Sequence, residues 1–258
     1  MTSLQPHEAK SVLEHVGELR KKLLIALGAF VVGAIVAHIF NKEIIAFLLQ
    51  PAGSQHLIFL SPVEPFFFIF KIDFIAGIII AFPFIIWCLF SYITPALSKR
   101  INTLLSFFYI VSTLLLFAGL FYAFFVTIPF SLKFLFSITI PGIENNFSME
   151  KYLGFFTAQA LIITAVFQIP ILIIGGIYLG AFKTKLLTTK RRYIYLILII
   201  ALAILTPTAD IFNLGIVFIP CLVIFEVSLI GGKIVEFLKR KKEKDKNNSK
   251  IINVSNIE

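Results

Sequence analysis

The sequence predicts an all-α integral membrane protein of six transmembrane helices with both termini on the cytoplasmic side. Three observations lead there. Of 258 residues, 59% are hydrophobic and 14% charged, whereas soluble domains carry about 25% charged residues. The apolar residues gather into six runs that are apolar on every face, unlike the alternating segments of about ten residues that build a membrane barrel. The 23 lysines and arginines are also unevenly placed: four in the N-terminal arm, two in the second loop, five in the fourth and eight from Lys233 onward, against only Lys42, Lys71, Lys133 and Lys151 in the alternate loops. Positive charge of this kind collects on the cytoplasmic side, and both ends fall on that side only if the number of spans is even.

The first element is an arm over residues 1–22. Val12, Val16, Leu19 and Leu23 recur at helical spacing, and Ser11 with Glu14 makes a capping-box pattern, so an amphipathic interfacial helix running into the first span is expected. Glu14 and Glu18, four apart, share a face and put two carboxylates at the surface. Glu18 also lies four residues before Lys22, so from spacing alone a local ion pair is the plainer reading. Met1 to Gly17 is polar and lacks a short apolar stretch ending in a small-residue cleavage site, so the arm is expected to persist rather than be removed.

The spans follow at Leu23–Phe40, Phe74–Ile93, Leu104–Ile128, Gly154–Leu179, Tyr193–Leu205 and Leu214–Ile230. Two connecting segments are long enough to hold structure. Asn41–Phe70 carries Pro51, Gly53, Pro62 and Pro65 around Phe66, Phe67 and Phe68; Pro129–Leu153 carries Pro141, Gly142, Glu144 and Glu150. Both suit caps with aromatic rings at headgroup depth.

Helices five and six are expected to be short. At 1.5 Å per residue Tyr193–Leu205 makes about 20 Å of helix, against a hydrocarbon core of about 30 Å. They flank the turn Thr206-Pro207-Thr208-Ala209-Asp210. Either the membrane thins beside them or helix five starts earlier, near Leu186. Beyond them, residues 233–258 are basic and Asn-rich and are expected to be a disordered cytoplasmic tail, which leaves residues 1–232 as the membrane domain.

A net charge of +9 sits beside the spans and in the tail, where anionic lipid headgroups are its counterions rather than nucleic acid. Cys88 and Cys221 lie in separate apolar runs and suggest core packing, not a disulfide or a metal cluster. His38 falls at the end of the first run and is read as interfacial. Gln168 stands mid-span before Pro170, which frees the carbonyl of Val166; its amide either satisfies that carbonyl or binds a partner. Asp210 suits a cap for helix six, and Glu226 lies near the cytoplasmic edge. No phosphate loop, zinc pair or nucleophile elbow is present, so neither an enzyme nor a cofactor or metal is expected. A secondary transporter for a small solute stays open, encouraged by Pro83 and Pro170 as helix breakers but lacking a chain of intramembrane charges.

Taken in order, several segments resemble the TatC family, the multispanning receptor subunits of the twin-arginine protein translocase. They are His15-Val16-Gly17-Glu18-Leu19-Arg20, Ser61-Pro62-Val63-Glu64-Pro65-Phe66, Trp87 with Pro95-Ala96-Leu97, Phe167-Gln168-Ile169-Pro170, Lys190-Arg191-Arg192-Tyr193, the Thr206–Asp210 turn and Phe225-Glu226. The resemblance implies a noncatalytic, multi-pass subunit of the bacterial inner membrane, or of an organellar one, that binds signal peptides of folded precursors. It further implies homo- and hetero-oligomers with single-span partners of TatA or TatB type, driven by the protonmotive force. Glu18 falls on the family's arginine-recognising glutamate, with Glu14, Leu19, Arg20, Pro95, Ala96 and Leu97 around it. Gln168, Pro170, Thr206, Pro207 and Asp210 fall on the expected partner-helix docking region. Two positions depart from the family. The second recognition glutamate is replaced by Ile101, so either recognition rests on Glu18 with Glu14 and backbone carbonyls or the paired-arginine requirement is relaxed. Where the family has a membrane glutamate, Gln168 hydrogen-bonds but cannot ionise.

Overall fold

The computed structural model describes the backbone of residues 12–53, 55–93, 102–138, 146–206 and 211–255, and side chains over 16–53, 55–92, 106–138, 146–206, 211–239 and 241. The chain divides into two compact units, residues 1–50 with 61–113 and residues 51–60 with 114–258.

The first unit contains α1 (Val12–Ile39), α2 (Asn41–Leu49), α3 (Glu64–Ile93) and the start of α4 (Asn102–Tyr122). Residues 12–22 of the arm and the first span form one unbroken helix, α1, as the continuous periodicity predicts; Ser11, the expected capping residue, lies outside the described residues. Its pairing with α3 is antiparallel and is set by two glycines. A Cβ on Gly33 would stand 2.6 Å from the Gly77 carbonyl oxygen, and one on Gly77 would stand 2.9 Å from the Ala34 backbone. In lipid, where apolar burial gives no preference for one helix partner, such small residues let backbones touch and gain dispersion. Phe30 meets Phe74 edge to face with 5.0 Å between centroids. Polar contacts bind the two ends of the pair: His38 Nδ1 lies 2.7 Å from Asp73 Oδ2, and Lys22 Nζ donates to Ser91 Oγ at 2.7 Å. Pro83 lies inside α3 without interrupting it, so this proline does not supply the broken helix that a transporter reading needs.

The second unit holds the rest of α4, a π-helical segment (Ala123–Thr127), α5 (Ile128–Ser137), α6 (Met149–Phe167), α7 (Ile169–Leu179), α8 (Thr184–Thr189), α9 (Arg191–Leu205) and α10 (Ile211–Ser255). The third span therefore extends past Ile128 to Ser137, and Pro129 begins α5 instead of a loop, because the first turn of a helix tolerates a residue without an N–H. Two-residue strands β1 (Leu57–Ile58) and β2 (Phe147–Ser148) pair in parallel and join the two long connections, a small departure from an all-α chain. The Ser148 side chain caps α6 by accepting from Lys151 N at 3.4 Å. The break at Gln168 separates α6 from α7 as Pro170 requires. Gly180, at φ +82°, ends α7 in the left-handed conformation, with Ala181 N bonded to Gly176 O at 2.9 Å.

The apolar core of this unit joins Ile173 and Ile177 of α7 to Phe225 and Leu229 of α10, flanked by Phe182, Leu187, Ile194 and Leu198. Five helical stretches among the described residues are long and apolar enough to cross a membrane: Val16–Ile39, Glu64–Tyr92, Ser106–Ser137, Met149–Leu179 and Ile211–Lys239. The remaining apolar run, the fifth in sequence order, is α9. Its helix begins at Arg191, after Lys190 departs from helical geometry at φ −98°, ψ 15°, so it does not start near Leu186. Its 15 residues give about 22 Å, and helix five is short as expected. Helix six is not. α10 runs unbroken for 45 residues, through the boundary expected at Lys233 to Ser255, because the Lys, Arg and Glu that make this stretch polar are also strong helix formers.

Candidate functional site

Glu18 lies on the polar end of α1, half-buried, with Leu19 and Arg20 exposed beside it. Lys22, the residue that spacing pairs with Glu18, is turned to α3: its ammonium bonds Ser91 and stands 4.9 Å from the centroid of Trp87. A carboxylate presents two in-plane acceptor oxygens, which match the fork of a guanidinium better than the point charge of an ammonium. Glu14 belongs to α1, but its side chain lies outside the described residues, as do Pro95, Ala96, Leu97 and Ile101 entirely.

The candidate docking residues lie in the second unit. Gln168 forms the joint of α6 and α7: its backbone N–H bonds Ala165 O at 3.0 Å, and its carbonyl accepts from Ile171 N at 3.1 Å. Its N–H also reaches the Val166 carbonyl, so the backbone serves the group that the side-chain amide was expected to satisfy. Pro170 occupies the first turn of α7. Thr206 is buried and caps α9, its Oγ1 donating to Leu202 O at 2.8 Å. Pro207 and Asp210 lie outside the described residues.

Three polar clusters join residues that are far apart in the sequence. Asp73 and His38 meet between α3 and α1, and Asp73 Oδ1 is buried with no hydrogen-bond partner among the described atoms. In the second unit Ser131 (α5), Gln159 (α6) and Asn213 (α10) form a fully buried network. Gln159 Nε2 donates to Asn213 Oδ1 at 3.0 Å, and Ser131 Oγ lies within reach of both Asn213 Oδ1 and the Thr127 carbonyl. Toward the other end of α10, Glu226 accepts from the Tyr195 hydroxyl and lies 3.4 Å from Arg191 Nη1. Two segments that the sequence presents separately, Lys190–Tyr193 and Phe225-Glu226, thus lie on either side of one contact that braces the short α9 against α10. Spacing gives no signal for the Ser131–Gln159–Asn213 network. The only hint in the sequence is that each residue is a polar group between two apolar neighbours, where an unsatisfied amide costs several kcal/mol.

Comparison with known proteins adds the context. Residues 14–220 match the family model for TatC, described as Sec-independent protein translocase protein. A Sec-independent protein translocase protein TatC from a Synechocystis species is 34% identical over 200 residues, covering 78% of this chain and 79% of that one. The Aquifex aeolicus protein of the same name is 30% identical over 236 residues, covering 89% and 97%. Among solved structures, a crystal structure of the twin-arginine translocase receptor TatC superposes with a TM-score of 0.72 at 29% identity, over 86% of this chain and 99% of that chain. A second, in the detergent DDM, gives 0.74 at 30% identity, over 84% and 99%.

Proposed function

The chain belongs to the TatC family of Sec-independent protein translocase proteins and is a multi-pass membrane subunit of the twin-arginine translocase; from that premise we propose that it receives paired-arginine signal peptides at its cytoplasmic face through Glu18. What supports this reading is the placement of Glu18: it sits half-buried at the membrane-proximal end of α1 with its Oε2 buried, where partial desolvation strengthens its attraction for a cation, while Lys22, four residues on, is turned to Ser91 and Trp87 of α3.

Both termini lie in the cytoplasm in this reading, which follows the side that carries the lysines and arginines. The fifth of the six spans is α9, shortened and braced by the Arg191–Glu226–Tyr195 contact. Glu14, Leu19, Arg20 and the loop at Pro95, Ala96 and Leu97 border the peptide site. Single-span subunits of TatA or TatB type dock along Gln168, Pro170, Thr206, Pro207 and Asp210, where the α6–α7 joint puts an amide at mid-membrane depth. The subunit is noncatalytic, takes its energy from the protonmotive force, and keeps residues 1–232 as the translocase domain with residues 233–258 as a cytoplasmic extension.

The test is site-specific photocrosslinking from position 18 with a paired-arginine precursor and a paired-lysine control. Preferential capture of the arginine form is expected. Equal capture of the two would overturn guanidinium recognition at Glu18.

A further inference from the structure

We propose that the second unit carries a hinge within its membrane-spanning helices, formed by two proline joints side by side, and that the Tyr122 hydroxyl is the latch that holds it straight. The device depends on the fold of this unit and not on how signal peptides or partner helices are recognised.

The first joint is the break at Gln168, where Pro170 withholds an N–H from Val166 and separates α6 from α7. The second lies inside α10. Pro220 has no N–H to give to Ile216 one turn back, yet the helix keeps its course through it. This stretch belongs to the candidate span Ile211–Lys239, and in hydrocarbon no water is at hand to bond such a carbonyl. Tyr122, the last residue of α4, meets the need: its hydroxyl donates to Ile216 O at 3.2 Å.

The two joints lie at one level. Gln159 of α6 bonds Asn213 at the start of α10. Further along, a Cβ on Gly231 would stand 2.8 Å from Ile174 Cδ1 and one on Gly232 would stand 2.4 Å from Ile177 Cδ1, so α6–α7 and α10 run side by side in the same direction. Between those contacts the register sets Val166 about level with Cys221, and the two prolines interrupt backbone bonding within about one turn of each other. Tyr122 touches both places, since its ring meets that of Phe167, the residue before Gln168, with 5.9 Å between centroids.

Packing divides at the same level. Before Pro220, Asn213 is held by Ser131 of α5 and Gln159 of α6. Beyond it, Phe225 and Leu229 pack against Ile173 and Ile177 of α7, and Glu226 holds Arg191 and Tyr195 of α9. Each half of α10 is tied to a different group of helices, with Pro220 between them.

The π-helical turn aims the latch. Ile128 N bonds Ala123 O, five residues back, and this wide turn leaves room for the Pro129 ring at the start of α5. Along a regular α-helix Tyr122 and Ser131 would lie about 180° apart. The residue absorbed by the wide turn cuts that to about 80°, so both reach α10, where Ile216 and Asn213 share one side.

The experiment is pulsed electron–electron distance measurement on the full-length protein in lipid nanodiscs, with spin labels attached through encoded keto amino acids so that Cys88 and Cys221 stay in place. Exposed positions carry the labels: Phe130 and Leu161 on one side of the joints, Ile234 on the other. The helix arm from Pro220 to Ile234 is about 21 Å, so a kink of about 20° carries Ile234 about 7 Å sideways. Tyr122→Phe keeps the ring beside Phe167 and removes only the donor. It should shift or broaden the Phe130–Ile234 or the Leu161–Ile234 distance by several ångströms. Pairs within one half, Leu161 with Ile211 and Leu172 with Ile234, should keep their parental distances. Pro220→Ala added to Tyr122→Phe gives Ile216 a backbone donor again and should restore the parental distances throughout. Unchanged distances between the halves in Tyr122→Phe, equal changes within the halves, or no restoration by Pro220→Ala would each overturn the proposal.

Discussion

Lys22 Nζ donates to Ser91 Oγ at 2.7 Å and lies 4.9 Å from the centroid of the Trp87 ring, so the ammonium four residues beyond Glu18 is directed at α3. This bears on two explanations for Glu18, of which spacing alone favours the local ion pair. If Glu18 held Lys22, removing either partner would have the same effect. If Glu18 holds a guanidinium from outside, only the carboxylate matters. Glu18→Ala should abolish export of paired-arginine precursors while the variant inserts normally, whereas Lys22→Met should export near the parental level. A hydrogen bond to a charged group contributes about 1.5–3 kcal/mol, so precursor affinity in Glu18→Ala should fall about ten- to a hundred-fold. Equal defects in the two variants would return Glu18 to the local ion pair.

Glycines of α1 should respond to alanine with opposite signs. At Gly33 a Cβ meets the Gly77 carbonyl at 2.6 Å, while at Gly28 nothing lies within 4 Å. Gly33→Ala forces the α1 and α3 backbones apart and should destabilise the protein by about 1–3 kcal/mol. Gly28→Ala removes only backbone freedom in a helix and should stabilise by about 0.5–1 kcal/mol. Thermal unfolding in detergent checks both, and a similar shift for the two would show that the α1–α3 contact does not limit stability.

The His38–Asp73 contact is a coupled pair in which the partners are unequal. His38 is largely exposed and Asp73 mostly buried, their side chains 65% and 16% accessible. Removing His38 therefore leaves a buried carboxylate whose Oδ2 has lost its 2.7 Å contact, a loss of about 1–3 kcal/mol. His38→Ala should destabilise more than Asp73→Asn, and the double variant His38→Ala, Asp73→Asn should recover part of the loss. Additive effects in that thermodynamic cycle would rule out coupling.

The buried Ser131–Gln159–Asn213 network ties α5, α6 and α10 through side chains alone. Replacing Gln159 with Leu removes the donor to Asn213 Oδ1 and leaves that oxygen with less hydrogen bonding inside an apolar unit. Gln159→Leu should lower the unfolding midpoint, with a loss of about 1–3 kcal/mol, and leave membrane insertion intact. Asn213→Leu made in the Gln159→Leu background should cost less than Asn213→Leu alone. Two independent, additive losses would show that the network does not act as a unit.

Some of this architecture is readable in the sequence because its physical cause is local. Pro170 lacks an N–H and clashes one turn back, so the joint at Gln168 follows from composition; the shortness of α9 follows from the closeness of the basic run Lys190–Arg192 to Thr206-Pro207, although the helix begins two residues before the apolar run, at Arg191. The length of α10 was hidden because Lys and Glu mark a solvated surface and a stable helix equally well. The extension of the third span to Ser137 was hidden by Pro129, which reads as a terminator but sits at a helix start. The Asp73–His38 and Ser131–Gln159–Asn213 contacts were not legible at all. Their partners are 28 to 82 residues apart, and no local periodicity relates one helix's polar residue to another's. For the candidate site the motif order points to Glu18, but the direction of Lys22, which bears on the two readings of Glu18, depends on the packing of α1 against α3.

Gln168 gives the sharpest test of the docking surface, because its backbone already serves the α6–α7 joint. Its N–H and carbonyl bond Ala165, Ile171 and Leu172 at 3.0, 3.1 and 3.3 Å, and none of these contacts involves the amide side chain. Gln168→Leu keeps the main-chain geometry and Pro170 while removing one amide from mid-membrane depth. Interhelical hydrogen bonds in lipid contribute about 0.6 kcal/mol on average and at most about 2 kcal/mol. Crosslinking to a single-span partner should therefore weaken about three-fold, and up to about thirty-fold for a strong bond. Gln168→Glu restores a hydrogen-bonding group of similar size and should recover most of the crosslink. An unaltered crosslink in Gln168→Leu accompanied by a lower midpoint would make the side chain a structural element of the α6–α7 joint, and the partner's contact would then have to lie elsewhere along the second unit.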